Sequence, residues 1–436
     1  MVITAARRAA AAVLVALLAT LAPITRPAIA ADWGRVGVLP GLGGARIWSV
    51  AFNPALPATA LAATDAGVYR TTDGGQTWRA TPVHGVRAWV VGFDVRPAHT
   101  AYAGLAGGGV ARSDDGGTTW REVSTGLPDR NVRALAFGLG GLAVGTSNGV
   151  AVSVDGATWR AAGLDGYDVS AIAVAANSPQ FTLVAGTDGG SGSGFLFRNA
   201  GPGPTWEPLQ QGLPATAVVS SLAAGPLPQS AQFRPLVVAT NKGTYHSIDG
   251  GTNWTPSTGI AEQLSVTIVG FSQLDPNLVY AGSDAGGSSG GTILRSTDGG
   301  GTFVAADKGL PADRRSVSSI AVAAAHPPLL LIAVDPPQGG AALYSEVDDT
   351  VPPPAAVTGE KGTAPATSAP LPSAHTTPRA IAVEPIVEPE QSGPARLAGA
   401  VFHWPFPVVA ELLLVLVAVV LVLRRRQQRL DVDGPP

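Results

Sequence analysis

The sequence predicts an all-β fold, a seven-bladed β-propeller closed by its own N-terminal strand, followed by a C-terminal transmembrane helix. Three observations carry this: a short Asp-Gly motif recurring six times, strand-like segments between successive copies, and an unmatched strand at each end of the repeat region.

The motif is clearest at Thr71–Trp78, Ser113–Trp120, Ser247–Trp254 and Ser296–Phe303, with weaker copies ending at Trp159 and Trp206. Counted from Asp73 through Asp115, Asp155, Gly201, Asp249 and Asp298, the intervals are 42, 40, 46, 48 and 49 residues. That is the period of a propeller blade, about 45 residues. In the first unit the runs 48–53, 60–64, 67–71 and 77–80 read as four strands, and later units copy them at 132–137, 170–174, 267–271 and 319–322. Six units end in an aromatic. A seventh starts near Ser316 and reaches Asp348 without one, so it lacks a fourth strand, which the stretch around Trp33 is placed to supply. Closure of this kind removes an exposed sheet edge.

Residues 1–30 open with Arg7 and Arg8, continue with a short apolar core and end on Ala28-Ile29-Ala30, the signature of a secretory signal peptide. Residues 31–349 are the propeller. Residues 350–400 are rich in Pro, Ala, Thr and Ser, too poor in large apolar side chains to offset ordering entropy, and read as a disordered stalk. At about 3.1 Å per residue such a stalk spans on the order of 150 Å. Residues 404–423 are almost wholly apolar and stop at Arg424-Arg425-Arg426. Twenty residues make about 30 Å of helix, enough to cross a bilayer, and the arginines place the tail at 424–436 in the cytoplasm. The expected protein is therefore single-pass, with its propeller extracytoplasmic.

Composition narrows the chemistry. Absence of cysteine excludes disulfides, thiol nucleophiles and Cys-ligated metals. With 28 basic against 31 acidic residues there is no broad field to hold nucleic acid. No cofactor motif is present, and neither long Gly-rich loop has the carboxylate spacing of a calcium site, so no metal is expected.

The Ser/Thr-x-Asp-x-Gly-x-Thr-Trp copies resemble bacterial neuraminidase repeats, or Asp boxes, and the resemblance spans the ectodomain. It implies a β-propeller fold shared by sialidases, xyloglucanases, sortilin-type receptors and photosystem II assembly factors. It also implies structural roles for Asp73, Trp78, Asp115, Trp120, Asp155, Trp159, Trp206, Asp249, Trp254, Asp298 and Phe303. Their residue types fit a turn: a carboxylate accepts backbone N–H bonds, glycine supplies positive φ, and the aromatic pins the hairpin against its own sheet.

A sialidase-like site needs three arginines, a nucleophilic Tyr beside a Glu, and an acid/base Asp. Arg46-Ile47-Trp48 is the nearest match to that family's Arg-Ile-Pro element and has Trp in place of Pro. The propeller glutamates are Glu122, Glu207, Glu262 and Glu346, and Tyr167 is the one loop tyrosine. Arg70, Arg112, Arg198 and Arg295 share a register, read as contacts to neighbouring blades. The turns after the second strands carry Asp65, Asp188, Asn241, Asp284 and Asp335, on the face opposite the boxes, and these are the candidate ligand-face loops. The expected function is non-catalytic binding or scaffolding of a protein or cell-envelope glycan. A glycoside hydrolase and an assembly factor for a membrane complex are the alternatives.

Overall fold

The computed structural model describes residues 32–37, 39–40, 45–96, 99–176, 181–187, 195–199, 201, 203–209, 211–259, 264–284, 290–314, 316–335 and 340–351. The expected signal peptide at 1–30, residues 352–400 of the expected stalk, the apolar segment 404–423, residues 424–436 and Asp188 lie outside them. Among the described residues no helix is long and apolar enough to cross a membrane.

Blade one shows how each unit forms. Its innermost strand, Ile47–Phe52, pairs antiparallel with Ala60–Thr64, which pairs with Gly67–Thr71, which pairs with Arg79–His84. The second strand is buried along its whole length because the next blade covers its other face, so it reads as a continuous apolar run rather than an alternating one. The outermost strand is mostly exposed and alternates. Seven sheets form among the described residues, six of four strands and that of blade six with a fifth, Thr258–Gly259, pairing parallel with its outer strand Thr302–Ala305; blade seven is completed by Gly34–Val36 pairing antiparallel with Ala342–Val347.

The innermost strands touch in succession, and Ser316–Val322 returns against Ile47–Phe52. Serine side chains stitch this ring: Ser319 Oγ accepts from the Val50 amide at 2.9 Å across the closure, and Ser221 Oγ from Val269 at 3.4 Å. Small residues let the blades approach. A Cβ on Gly104 would lie 2.7 Å from the Val132 carbonyl oxygen of the next blade, so no side chain fits there. Among the described residues, the core clusters run through all seven blades, from Trp33 to Val351.

The boxes occupy the turns between third and fourth strands. In the second, the Ser113 hydroxyl donates to Asp115 at 2.8 Å and accepts the Gly117 amide, while Asp115 accepts the amides of Thr118 and Thr119 and the Thr119 hydroxyl. Burial opposes ionisation of Asp115, but these donors outweigh it and hold the carboxyl down at about 2. The weak fourth copy is rebuilt around Asn199, whose Nδ2 donates to the Gly203 and Thr205 carbonyls.

The aromatics differ from expectation in what they pin. Trp78 and Trp120 do donate to their own turns, at Gly75 and Gly117. Trp159 and Trp206 instead donate to Val123 and Ala162, just past the fourth strand of the preceding blade. The indole starts an outer strand that overlaps the neighbouring sheet, so the nearest free carbonyl belongs to that neighbour. Trp33, only 4% exposed, makes the same bond to Ala306 at 2.7 Å, and thus acts as the seventh box aromatic.

Candidate functional site

Antiparallel strands alternate in direction, so the boxes share one face of the disc with the turns after the first strands. The starts of the inner strands and the turns after the second strands share the other, here the upper face.

At the upper end every inner strand contains a β-bulge after its first paired positions. The residue freed from pairing is Trp48, Trp89, Arg133, Ser170, Ser220, Thr267 and Ser318 in blades one to seven. These line the upper mouth of the central channel, a cavity of about 410 Å³. A bulge re-aims a side chain out of the alternating pattern. The mouth is consequently divided: blades one to three offer tryptophan and arginine, blades four to seven hydroxyls.

Trp48 and Trp89 meet edge to face with ring centroids 4.6 Å apart. Guanidinium groups lie over them: Arg46 at 4.5 Å from the Trp48 ring, Arg87 at 4.7 Å and Arg133 at 5.6 Å from the Trp89 ring. Asp65 organises this wedge. It accepts the Trp48 indole N–H at 2.9 Å, the Arg87 Nε–H at 2.6 Å and the Arg46 amide at 3.0 Å. Burial alone would raise its pKa; these donors hold it below the ordinary carboxylate range. Trp89 is oriented by Asn131, whose Oδ1 accepts the indole N–H at 2.9 Å. Arg133 pairs with Asp168, and Arg46 with Asp335 at 3.3 Å. Asp168 Oδ1 and Ser170 Oγ are buried and have no hydrogen-bond partner among the described residues.

Of the described residues in the predicted ligand-face turns, Asp65 and Asp335 reach the mouth. Asn241 and Asp284 tie down the starts of their own blades, accepting from the Val218 amide at 2.9 Å and the Ser265 hydroxyl at 3.2 Å. Arg46 and Trp48 of the Arg-Ile-Trp element are both at the mouth. Tyr167 is not: it packs edge to face on Phe197, 5.2 Å away. Arg70 and Arg112 reach the next blade's box, donating to the Gly116 and Asp155 carbonyls, and Arg198 donates to Thr252 there. Arg295 is paired with the buried Asp348 at 2.8 Å. Glu122 and Glu207 are exposed on outer strands, and Glu262 lies outside the described residues. Among the described residues no cluster of potential metal ligands occurs.

Sequence reasoning missed Trp89, Arg87, Arg133 and Asp168. The signal for Trp89 and Arg133 was a column: the second residue of the inner strand in blades one to six and the third in blade seven, with Arg87 and Asp168 each just before such a strand.

At the opposite end of the same strands the channel widens to about 580 Å³ against Phe52, Phe93, Phe137 and Phe271, with Arg234 in its wall.

The BNR/Asp-box repeat family matches residues 69–80. No curated protein matches the chain in sequence. Among solved structures, YCF48 from Cyanidioschyzon merolae is similar at 17% identity and a TM-score of 0.53, over 74% of this chain and 100% of its own. A YCF48 bound to D1 peptide aligns at 19% identity and 0.52, over 72% of this chain and 97% of its own. The GH74 xyloglucanase from Xanthomonas campestris aligns at 17% identity and 0.54, over 74% of this chain and 54% of its own. At such identities the likeness concerns the fold. By its repeat and its architecture together, the chain is a seven-bladed β-propeller that carries Asp boxes, the first of them matched by the BNR repeat model.

Proposed function

We propose that the chain is an extracytoplasmic propeller, delivered by residues 1–30 and tethered through residues 404–423, that binds a protein partner at its upper mouth without catalysis. The observation that carries this reading is the Trp48–Trp89 wedge with arginines over its rings. Tryptophan and arginine held in fixed geometry are the residue types that dominate protein interfaces. Sugar recognition by tryptophan uses an open ring face, and guanidinium groups already lie over both rings. The same architecture holds a peptide in the D1-bound YCF48 structure, and a role in assembling a membrane complex is a narrower form of this reading.

A hydrolase reading has less support. Asp65, Asp168 and Asp335 at the mouth are each ion-paired with an arginine, and the donors on Asp65 hold it below the ordinary carboxylate range, the reverse of what a general acid needs. Glu346, the one described carboxyl pushed well above its ordinary range, lies on the third strand of blade seven beside Asp348, away from the residues lining either mouth.

A photo-crosslinking residue at position 220, on the hydroxyl side of the upper mouth, tests the proposal in cells, with exposed position 304 on an outer strand as control. One envelope protein captured from 220 and not from 304 is expected. Turnover of fluorogenic glycosides that disappears in Asp65→Asn or Asp335→Asn would overturn it.

A further inference from the structure

The lower mouth, on the box side, differs from the upper in one chemical respect: among the described residues its wall is apolar and holds a single cation. Phe52, Phe93, Phe137 and Phe271 form the wall, and Val95 and Leu274 stand exposed at its lip. The polar side chains lining it are Arg234, Ser272 and Gln273. Ser272 spends its hydroxyl oxygen on the amides of Leu274 and Asp275, and Gln273 is exposed.

Arg234 is delivered by the longest described turn after a first strand, residues 225–235 of blade five, against seven residues at 53–59 in blade one. Two backbone bonds fix that turn: the Arg234 amide donates to Ala175 in blade four at 2.8 Å, and the Gly225 amide to Pro235 at 2.9 Å. The guanidinium donates to the Gly225 carbonyl at 3.0 Å, its Nε is buried without an acceptor, and among the described residues it has no carboxylate partner. Desolvation pushes its pKa down, as expected for a cation facing apolar surroundings. A long turn that departs from its repeat and carries a pre-placed charge is the mark of a binding element rather than a connector.

We propose that the lower mouth is a second binding site, for an amphiphile with an apolar chain and one carboxylate. The chain lies along the phenylalanine wall and the carboxylate takes the free donors of Arg234. A cavity near 580 Å³ is within the range for small ligands, about 300–1,000 Å³. A peptide fits this wall less well, because its backbone amides and carbonyls would be desolvated against phenylalanine with few partners. A fatty carboxylate has one polar group, and the wall supplies one counterpart.

The test uses the full-length protein, titrated calorimetrically with decanoate below its micelle concentration and with decanol. Saturable binding of decanoate at a single site is expected, with decanol weaker. Arg234→Gln weakens decanoate about tenfold and leaves decanol unchanged, whereas Arg234→Lys retains part of the affinity. Leu274→Asp, at an exposed lip position, weakens both, and Trp89→Ala at the other mouth weakens neither. Thermal melts establish that each variant folds. Failure of decanoate to saturate, equal affinity for decanol, or an unchanged Arg234→Gln would overturn the proposal. So would tight binding of a leucine-rich peptide with a free C-terminus where decanoate does not bind.

Discussion

The two mouths of the channel are opposite ends of the same seven strands, and their chemistry diverges for a structural reason. At the upper end a bulge in every inner strand releases one residue from the ladder, so packing does not dictate its identity. Trp48, Trp89 and Arg133 then stand opposite serines and threonine across one opening. At the lower end the inner strands stay in register in every blade but the fourth, which shifts once between Val174 and Ala176, and they finish between neighbouring blades, so Phe52, Phe93 and Phe271 are buried and apolar. Variation is free where pairing is interrupted and restricted where it is not.

The most severe way to break this contrast is to open the ring both mouths share. Trp33→Ala removes a buried indole and its bond to Ala306, and is expected to cost about 3–5 kcal/mol in urea unfolding, abolishing both sites together. Trp89→Ala separates the mouths: binding of the partner is expected to weaken by about 2 kcal/mol or more, roughly thirtyfold, with decanoate binding unaffected. Asp65→Asn touches only the positioning of the wedge. Loss of its charge loosens Trp48 and Arg87 and is expected to weaken partner binding about tenfold, with a shift in tryptophan fluorescence marking the freed indole.

The mildest test concerns pH. Burial and the nearby Asp348 push Glu346 up to about 7, from an ordinary value of 4.5. The native state therefore holds that proton more tightly than the unfolded chain, and stability falls as pH rises from 4.5 toward 7, then levels off. Glu346→Gln is expected to flatten melting temperature across that window and to raise it by a few degrees at pH 8. Ligand binding at either mouth should keep its wild-type pH profile.

The propeller was legible because each box states its own geometry. Asp115 needs amides three and four residues on, and Gly117, at φ +91°, needs the absence of a side chain where it meets Leu61 of blade one. Closure by the Trp33 strand was legible through its likeness to residues 119–123. The upper mouth was not, since each blade gives it one residue, about 45 positions from the next, and the bulge moves that residue out of the alternation a strand pattern relies on. Asp65 and Asp335 were singled out as turn residues, but only the fold shows that they hold Trp48 and Arg46. Arg234 sits in a turn whose excess length is visible in sequence and whose direction is not.

Strand Ala342–Val347 has Leu329–Asp335 on one side and Gly34–Val36 on the other. A tensile force directed along this strand loads both ladders in shear, so their bonds must yield together rather than unzip in turn. Along that axis the joint is at its strongest.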